Sequence, residues 1–205
     1  MKIPLNKICK FIIQTCKKYN IDDSHGIKHA LDVYKYSRFL VKHEKIPESQ
    51  ENIIYTAALL HDTCDNKYMN EIEGINNIRF FLGTSEFYKH SEIDVILNII
   101  QTMSYSKVKE VGFPDLGLYQ QAYHVVREAD LLTAYDFDRC LLFTMHNYNV
   151  DYDEAFKIAK NLYEKRMANH IKDGLITSSY GIEEAIKLYS ENMQNIKSIE
   201  MMMDL

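Results

Sequence analysis

Glycine and proline, the residues that most often end helices and form tight turns, are scarce in this sequence. The chain contains 7 glycines and 3 prolines among 205 residues. So few turn-forming residues argue against a sheet of many short strands and favour long helices. The length suits one well-packed domain. We therefore predict an all-α fold in a single domain.

Several signals of location and partner are also missing. The sequence has no apolar run of membrane-spanning length, and its lysine-containing start is unlike a secretory signal peptide. The 4 cysteines form no CxxC pair, which is typical of a reduced, intracellular compartment. A formal net charge of −5 argues against a protein that coats nucleic acid. We expect a cytoplasmic protein that binds neither a membrane nor a nucleic-acid polymer.

Helical periodicity extends over most of the chain, from a first helix at Leu5 to a last one beginning near Ile182. We predict one domain over residues 1–205. Its core covers about 20–145, and C-terminal helices at about 153–200 pack on that core.

Two local features are predicted from glycine and proline. The segment 104–117 contains two glycines and a proline and is predicted to be an irregular loop. A helix is predicted from about residue 67 to Leu82, ending at Gly83 as a left-handed C-cap.

One apolar stretch ends in two residues that can bind metals. The uncharged residues 53–60 are followed by His61 and Asp62. Ile53, Ala57 and His61 are spaced by four and share one face of a helix. That face is apolar and should be buried, which places a carboxylate beside an inward-facing histidine. A buried carboxylate is costly unless a cation offsets it, and a metal ion is the simplest candidate.

Two further helices present similar residues. His29 shares a predicted helix face with Val33, and Asp130 follows Ala122 and Val126 at helical spacing. A lone buried histidine is more often a satisfied core residue than a ligand, and a single His-Asp pair is weak support. The set of separate helices, each with a ligand-type residue on an apolar face, favours a metal site.

This order of His, His-Asp and Asp resembles the HD superfamily of metal-dependent phosphohydrolases. The intervals, 32 residues from His29 to His61 and 68 from Asp62 to Asp130, are similar to those of the superfamily. The resemblance implies a single HD-type helical domain in which these four residues hold one divalent ion. Two imidazoles and two carboxylates suit Mn²⁺, Co²⁺, Fe²⁺, Mg²⁺, Ni²⁺ or Zn²⁺.

The motif around the His-Asp pair is similar to the HDxxDxK variant of small HD proteins associated with nucleoside triphosphate pyrophosphohydrolysis. His61, Asp62, Asp65 and Lys67 reproduce that motif. The resemblance implies that Asp65 orients or deprotonates the attacking water and that Lys67 offsets phosphate charge. A plainer interpretation makes Asp65 a turn residue and Lys67 a solvated residue at a helix start.

The upstream element also matches this group. Asp22, Ser24, His25 and His29 reproduce its D-x-S-H-x-x-x-H pattern. The resemblance covers the chain from Asp22 to about residue 143. It implies that His25 or Lys28 helps to offset the charge of a bound phosphate.

Another short segment, Thr102–Lys107, is similar to the group's SFS/SYS-K segment. The resemblance implies that Ser106 and Lys107 contact phosphate oxygens. The alternative is a polar helix end.

The resemblance breaks directly after the last expected ligand, Asp130. Many relatives read D-A-D-R-L-D-A there, whereas Leu131 and Thr133 stand in place of the arginine and the second aspartate. Arg127 or Arg139 could supply the missing positive charge. The departure affects the expected substrate more than the expected metal site.

A second metal ion is not expected. Two-metal members of the superfamily need extra histidines between Asp62 and Asp130, where this chain has only His90 and His124. On a helix, His124 lies roughly 240° around the axis from Asp130.

These patterns predict a metal-dependent phosphohydrolase that acts on a nucleotide or a similar small phosphate ester. The group resemblance implies cleavage of a nucleoside triphosphate to the monophosphate and pyrophosphate. A 5′-nucleotidase acting on monophosphates is the alternative within the enzyme class. A non-catalytic metal- or nucleotide-binding helical module is the alternative outside it. The methionine-rich C-terminal helix is either a homodimer contact or part of the core.

Overall fold

The computed structural model describes residues 3–203, and all the regular secondary structure in that range is helical. In that range there are ten α-helices, with single 3₁₀ turns at Asp23–His25, His61–Cys64 and Gly117–Tyr119. The α-helices are α1 (Leu5–Tyr19), α2 (Ile27–His43), α3 (Glu48–Leu60), α4 (Glu71–Gly83), α5 (His90–Thr102), α6 (Tyr105–Val111), α7 (Gln120–Thr133), α8 (Phe137–Tyr148), α9 (Tyr152–Lys172) and α10 (Ser179–Met202). The predicted all-α fold is confirmed. None of the helices in the described range has the length and apolar content needed to cross a bilayer.

The chain divides into two compact units, and the boundary in the sequence lies between Ala129 and Asp130. This boundary falls inside α7, so the turn that carries Asp130 is continuous with the part of α7 in the first unit. The first unit contains α1 to α6 and most of α7, and the second contains α8 to α10. The predicted limits of the core, about 20–145, and of the C-terminal helices, about 153–200, stay predictions.

Helix α3 forms the centre of the first unit. It packs against α1, α2 and α5. Its residues Ile54, Ala58, Leu59 and Leu60 are at most 1% exposed and point in different directions around the helix. A helix that is apolar on every side is stable only inside a protein. Helix α3 therefore delivers the residues at its C-terminal end to the interior.

The predicted irregular loop at 104–117 is wrong in its first half. Helix α6 occupies Tyr105–Val111, and the Oγ atom of Ser104 caps it by accepting a hydrogen bond from the backbone N–H of Lys107. A serine cap of this kind favours a helix start, and it outweighs the glycines that follow.

The predicted limits of α4 also need correction. The helix begins at Glu71 because the Asn70 side chain caps it, accepting a hydrogen bond from the backbone N–H of Glu73. Gly83 is the last residue of the helix. Gly83 does not have a positive φ, so it is not the left-handed C-cap that the sequence suggested.

The second unit is built on α9, which packs against α8 and α10. Its core is aromatic, with the Phe137 ring at 5.3 Å from that of Phe156 and at 5.7 Å from that of Tyr163, both edge to face. These contacts are favourable for aromatic rings beyond the apolar area they bury. Side chains of Asp151 and Ser178 cap α9 and α10.

Candidate metal centre

The first histidine of the candidate site comes from the buried face of α2. His29 is the third residue of this helix. It shares its face with Val33 and Leu40, and the three residues are 3%, 0% and 0% exposed. Because its neighbours on this face are aliphatic, the imidazole lies in the core of the first unit.

The second histidine follows the end of α3. His61 and Asp62 begin the 3₁₀ turn after Leu60. Nδ1 of the buried His61 ring lies 2.9 Å from the carbonyl oxygen of Ala58. Since a carbonyl oxygen can only accept, Nδ1 carries a proton, and when the ring is neutral Nε2 keeps a lone pair. A neutral imidazole in this state is the form of histidine that binds metals.

The two imidazoles and the Asp62 carboxylate meet at short distances. Nε2 of His29 lies 3.0 Å from Nε2 of His61. Oδ2 of Asp62 is 3.1 Å from His29 Nε2, and Oδ1 is 3.2 Å from His61 Nε2. Four atoms that can bind a metal ion therefore lie next to one another.

The carboxylate of Asp62 is ionised and only 18% of its side chain is exposed. Burial would raise the pKa of its carboxyl group, but the neighbouring imidazoles of His61 and His29 hold the pKa well below its usual range. Oδ2 is buried and lacks a hydrogen bond of good geometry within the described residues, although His29 Nε2 is 3.1 Å away. A buried anionic oxygen without a well-placed donor is costly, and a bound cation would remove that cost.

Asp130 completes a group of three residues that can hold a metal ion. One ligand atom from each of His29, His61 and Asp130 lies within 4.8 Å of the other two. The histidines are buried and Asp130, on the last turn of α7, is half-buried. Imidazole nitrogens and carboxylate oxygens together suit a borderline divalent ion. Over residues 3–203 no other group of this kind occurs.

A polar cluster without a metal ion would explain only part of this geometry. One proton shared between the two Nε2 atoms would join His29 to His61. It would leave Oδ2 of Asp62 without a well-placed donor. A cation bound by the nitrogens and the carboxylates satisfies these atoms together, so the residues fit a divalent ion.

A glycine on α4 allows the turn after α3 to lie close to that helix. A Cβ atom at Gly74 would lie 2.6 Å from Cβ and 2.7 Å from Cα of Cys64. Both distances are far shorter than van der Waals contact, so any larger residue would displace the turn. The packing of α4 thereby fixes the backbone just after Asp62.

A second polar cluster surrounds His25, one turn before His29. Nδ1 of His25 lies 2.8 Å from the Ser24 hydroxyl and 3.1 Å from the Tyr68 hydroxyl. Both hydroxyls also donate hydrogen bonds to the carboxylate of Asp22. The rings of His25 and His29 are 6.2 Å apart between centroids. His25, a predicted substrate residue, is thus held beside the candidate metal ligands.

Hydrogen bonds set the protonation states in this second cluster. Burial would raise the pKa of Asp22, but hydrogen bonds from Ser24 and Tyr68 and the charge of His25 lower it to about 2. Burial and the bond to Asp22 raise the pKa of the Tyr68 phenol. Sequence reasoning missed Tyr68, which is 46 residues from Asp22. Its only local signal is that it directly follows Lys67 in the motif.

Asp65 and Lys67 contact each other beyond the turn. Oδ1 of Asp65 accepts a hydrogen bond from the backbone N–H of Lys67 at 2.9 Å, and Lys67 Nζ lies 3.4 Å from Oδ2. The side chain of Asp65 is 18% exposed and that of Lys67 is 55% exposed. The backbone contact is that of a turn residue, as the plainer interpretation of Asp65 has it. The catalytic roles of both residues stay predictions.

Three predicted substrate residues lie near or at the protein surface. Lys28 is well exposed and its Nζ lies 2.8 Å from the carboxylate of Asp32. Ser106 is exposed on α6. Nζ of Lys107 donates a hydrogen bond to the carboxylate of Glu71, at the start of α4. Their contacts with a substrate stay predictions.

Arg127, the remaining predicted substrate residue, lies in the core of the first unit. It is 2% exposed, and its guanidinium carbon lies 4.7 Å from the centre of the Phe113 ring. Nη2 lies 3.2 Å from His124 Nδ1 and 3.5 Å from a carboxylate oxygen of Glu128. Burial lowers the pKa of Arg127, an effect that Glu128 opposes. Protein groups thus surround this cation, and its contact with a substrate stays a prediction.

Fold and site together define an all-α protein with a candidate metal group of two histidines and an aspartate. The fold is similar to that of a protein from Lactobacillus plantarum, whose crystal structure was determined as a structural genomics target, with 19% sequence identity and a TM-score of 0.70. The similarity covers 100% of this chain and 98% of that chain. At this level of identity it shows a shared fold alone. No family model matches the chain, and no curated protein matches it.

Proposed function

We propose that this protein is a metal-dependent phosphohydrolase acting on a nucleotide or a similar small phosphate ester. One observation carries the proposal: His29, His61 and Asp130 each place a ligand atom within 4.8 Å of the others. The oxygens of Asp62 lie 3.1 and 3.2 Å from the two histidine nitrogens. The same four residues are the ligands that the resemblance to the HD superfamily implies.

His29, His61, Asp62 and Asp130 are the residues that would hold one divalent ion. When bound, such an ion stabilises negative charge on a phosphoryl oxygen and makes water a stronger nucleophile near neutral pH. Mn²⁺, Co²⁺, Fe²⁺, Mg²⁺, Ni²⁺ and Zn²⁺ all accept this mixture of nitrogen and oxygen donors.

The polar cluster around His25 would bind the phosphate group. Hydroxyls of Ser24 and Tyr68 hold the His25 ring, and its centroid is 6.2 Å from that of His29. A histidine fixed at this distance from the metal ligands can contact an oxygen of a phosphate held there. The low pKa of Asp22 keeps its carboxylate available to accept the two hydroxyl protons.

Asp65 and Lys67 would act on the attacking water and on the phosphate charge. Lys67 Nζ is 3.4 Å from the Asp65 carboxylate, and the lysine side chain is 55% exposed. An ion pair of this kind contributes roughly 0–1 kcal/mol. A bound substrate can therefore draw Lys67 away from Asp65 at little cost. Lys28, Ser106, Lys107 and Arg127 would add to substrate binding.

The reaction we propose is cleavage of a nucleoside triphosphate to the monophosphate and pyrophosphate, in the cytoplasm. The HDxxDxK motif supports this choice of reaction. Free thiols at Cys9, Cys16, Cys64 and Cys140 support a reducing compartment.

Release of phosphate and pyrophosphate tests the proposal directly. Chelator-treated protein is supplied with Mn²⁺, Co²⁺ or Mg²⁺ and a panel of nucleoside triphosphates and monophosphates. We expect metal-dependent turnover that falls by about 100-fold or more in His61→Ala and in Asp62→Ala. His90→Ala and Asp94→Ala, which change exposed residues of α5, should keep the activity.

The products separate the possible outcomes. Pyrophosphate from triphosphates supports the proposed reaction, whereas phosphate from monophosphates alone would identify a 5′-nucleotidase. No metal-dependent turnover on any substrate, together with nucleotide-dependent thermal stabilisation, would identify a binding module. That result would overturn the hydrolase proposal.

A further inference from the structure

A groove lined by basic residues opens on the side of α2 opposite His29. Its volume is about 650 Å³, and its basic residues are Lys35, Arg38, Lys42 and Lys45. Arg38 follows His29 by nine positions, which places it roughly 180° around the helix. The groove and the candidate metal group therefore use opposite faces of α2.

The basic residues of the groove are not neutralised by carboxylates. Within residues 3–203, none of the four makes an ion pair. Glu51 is the one carboxylate among the lining residues, and it already accepts a hydrogen bond from the Tyr55 hydroxyl. The chain as a whole has a net charge of −5, so this concentration of positive charge is local. Such a potential attracts anions.

A favourable interaction with the C-terminal end of α2 would explain the positions of only two of these four basic residues. Lys42 lies in the last turn of α2 and Lys45 lies just after the helix, where positive charge is favourable because of the helix dipole. Lys35 and Arg38 lie in the middle of α2 and gain nothing from its end. Lys35, Arg38 and Lys42 follow one another at intervals of three and four, so they form a single stripe facing the groove.

Aromatic rings line the same groove. The rings of Tyr34 and Tyr55 meet edge to face with centroids 5.4 Å apart, and Phe39 is 41% exposed. The guanidinium carbon of Arg38 lies 5.8 Å from the centre of the Tyr34 ring. Aromatic faces beside cations stack on nucleobases while the cations bind phosphates. The volume is within the range of about 300–1,000 Å³ that is usual for small-molecule sites.

We propose that this groove binds a nucleoside polyphosphate at a site separate from the metal group. The phosphates contact Lys35, Arg38 and Lys42, which offer the charged donors that phosphate oxygens accept. The base stacks against Tyr34 and Phe39. The groove shares no residue with the candidate metal centre, so this binding does not depend on the hydrolase proposal.

Isothermal titration calorimetry with ATP tests this site. EDTA is added so that no metal-dependent binding at the candidate metal centre contributes to the signal. We expect ATP to bind the unmodified protein and to bind the double variant Arg38→Ala/Lys42→Ala at least about ten-fold more weakly, as for the loss of charge-assisted hydrogen bonds. The matched control Lys10→Ala/Lys17→Ala removes two exposed lysines of α1 and should leave the affinity unchanged.

Further ligands decide the chemical class. ATP should bind more tightly than inorganic triphosphate and far more tightly than adenosine, and Phe39→Ala should reduce the preference for ATP over triphosphate. The absence of ATP binding, or equal weakening in both double variants, would overturn the site. Equal affinity for ATP and for inorganic triphosphate would overturn the role of the base. Tighter binding of a short single-stranded oligonucleotide than of ATP would identify the ligand as a nucleic acid and would overturn the nucleotide site.

Discussion

Two partly buried aspartates near the histidines are kept ionised by different neighbours. Asp62 lies between the two imidazoles of His61 and His29, which offset the effect of burial on its pKa. Asp22 is stabilised chiefly by hydrogen bonds from Ser24 and Tyr68. A metal ion would therefore act directly on Asp62, whereas Asp22 keeps its neutral donors whether or not an ion is bound.

Substitution of Asp22 should make the free energy of unfolding less dependent on pH in the acidic range. The pKa of Asp22 falls from an ordinary value of 3.8 to about 2 on folding. Its contribution, about 2 kcal/mol, is complete above the ordinary value and is lost as the pH falls towards the folded value. We expect Asp22→Asn to be less stable than the unmodified protein at pH 6, with a difference that shrinks between pH 4 and pH 2 as the carboxylate is protonated. Urea unfolding followed by circular dichroism at a series of pH values measures this difference.

Asp94→Asn is a suitable control for this experiment. The side chain of Asp94 is 56% exposed in its ion pair with Arg79, so the substitution should change stability by less than about 1 kcal/mol at any pH. A difference for Asp22→Asn that stays constant across the pH range would contradict the hydrogen-bonded, ionised state of Asp22.

The residues of the candidate site were predictable to the extent that local spacing determines them. The burial of His61 follows from its spacing of four and eight from Ala57 and Ile53, and that of His29 from its spacing of four from Val33; both side chains are buried. Tyr68 could not be predicted, because its contact with Asp22 joins residues 46 positions apart. Arg127 is buried against Phe113, a contact that spacing on its own helix does not reveal, and its contact with a substrate stays a prediction.

At the level of elements, the approach of α4 to the turn after α3 determines where Asp62 lies. We expect Gly74→Ala to destabilise the protein by about 1–3 kcal/mol, as overpacking in a tight core does. A Cβ atom there would be 2.7 Å from the Cα of Cys64, so the backbone of the turn must move. Affinity for Mn²⁺ or Co²⁺ should fall in the same variant, because His61 and Asp62 are on that turn. Urea unfolding and metal titration measure the two effects.

Gly83→Ala is a matched control on the same helix. A Cβ atom at Gly83 would have no neighbour within 4 Å, and Gly83 has no positive φ. Alanine is favoured over glycine in a helix by up to about 1 kcal/mol, so this variant should be as stable as the unmodified protein or more stable. Equal behaviour of the two variants would show that the contact between Gly74 and Cys64 does not limit the packing.

The elements were predictable where their signal is continuous. Helix α3 is largely apolar from Ile53 to Leu60, and the burial of that stretch follows from its composition. Helix α6 was missed because it is short and precedes two glycines. The structure supports it through the contact between Lys107 and Glu71, which are 36 residues apart. That contact adds to the local Ser104 cap in stabilising α6, and a local pattern does not contain it.

For the whole molecule, the most general expectation is that a suitable divalent ion stabilises the folded chain. The ligand atoms of His29, His61 and Asp130 come together only when distant segments fold, so an ion should bind the folded state far better than the unfolded one. At an ion concentration about 100 times the dissociation constant, the stabilisation is about 2.7 kcal/mol. For a protein of this size that corresponds to a rise in Tm of about 5–10 °C.

Thermal unfolding of chelator-treated protein with added Mn²⁺, Co²⁺ or Zn²⁺ measures this rise, and EDTA should reverse it. His61→Ala should lose most of the rise, because it removes a nitrogen from the centre of the group. His90→Ala should keep it, since His90 is an exposed residue at the start of α5 and controls for weak binding of ions to surface histidines. An equal rise in Tm in both variants would mean that the ions bind elsewhere. The contacts among His29, His61 and Asp62 would then be those of a hydrogen-bonded core cluster. That outcome would not affect nucleotide binding in the groove on the other face of α2.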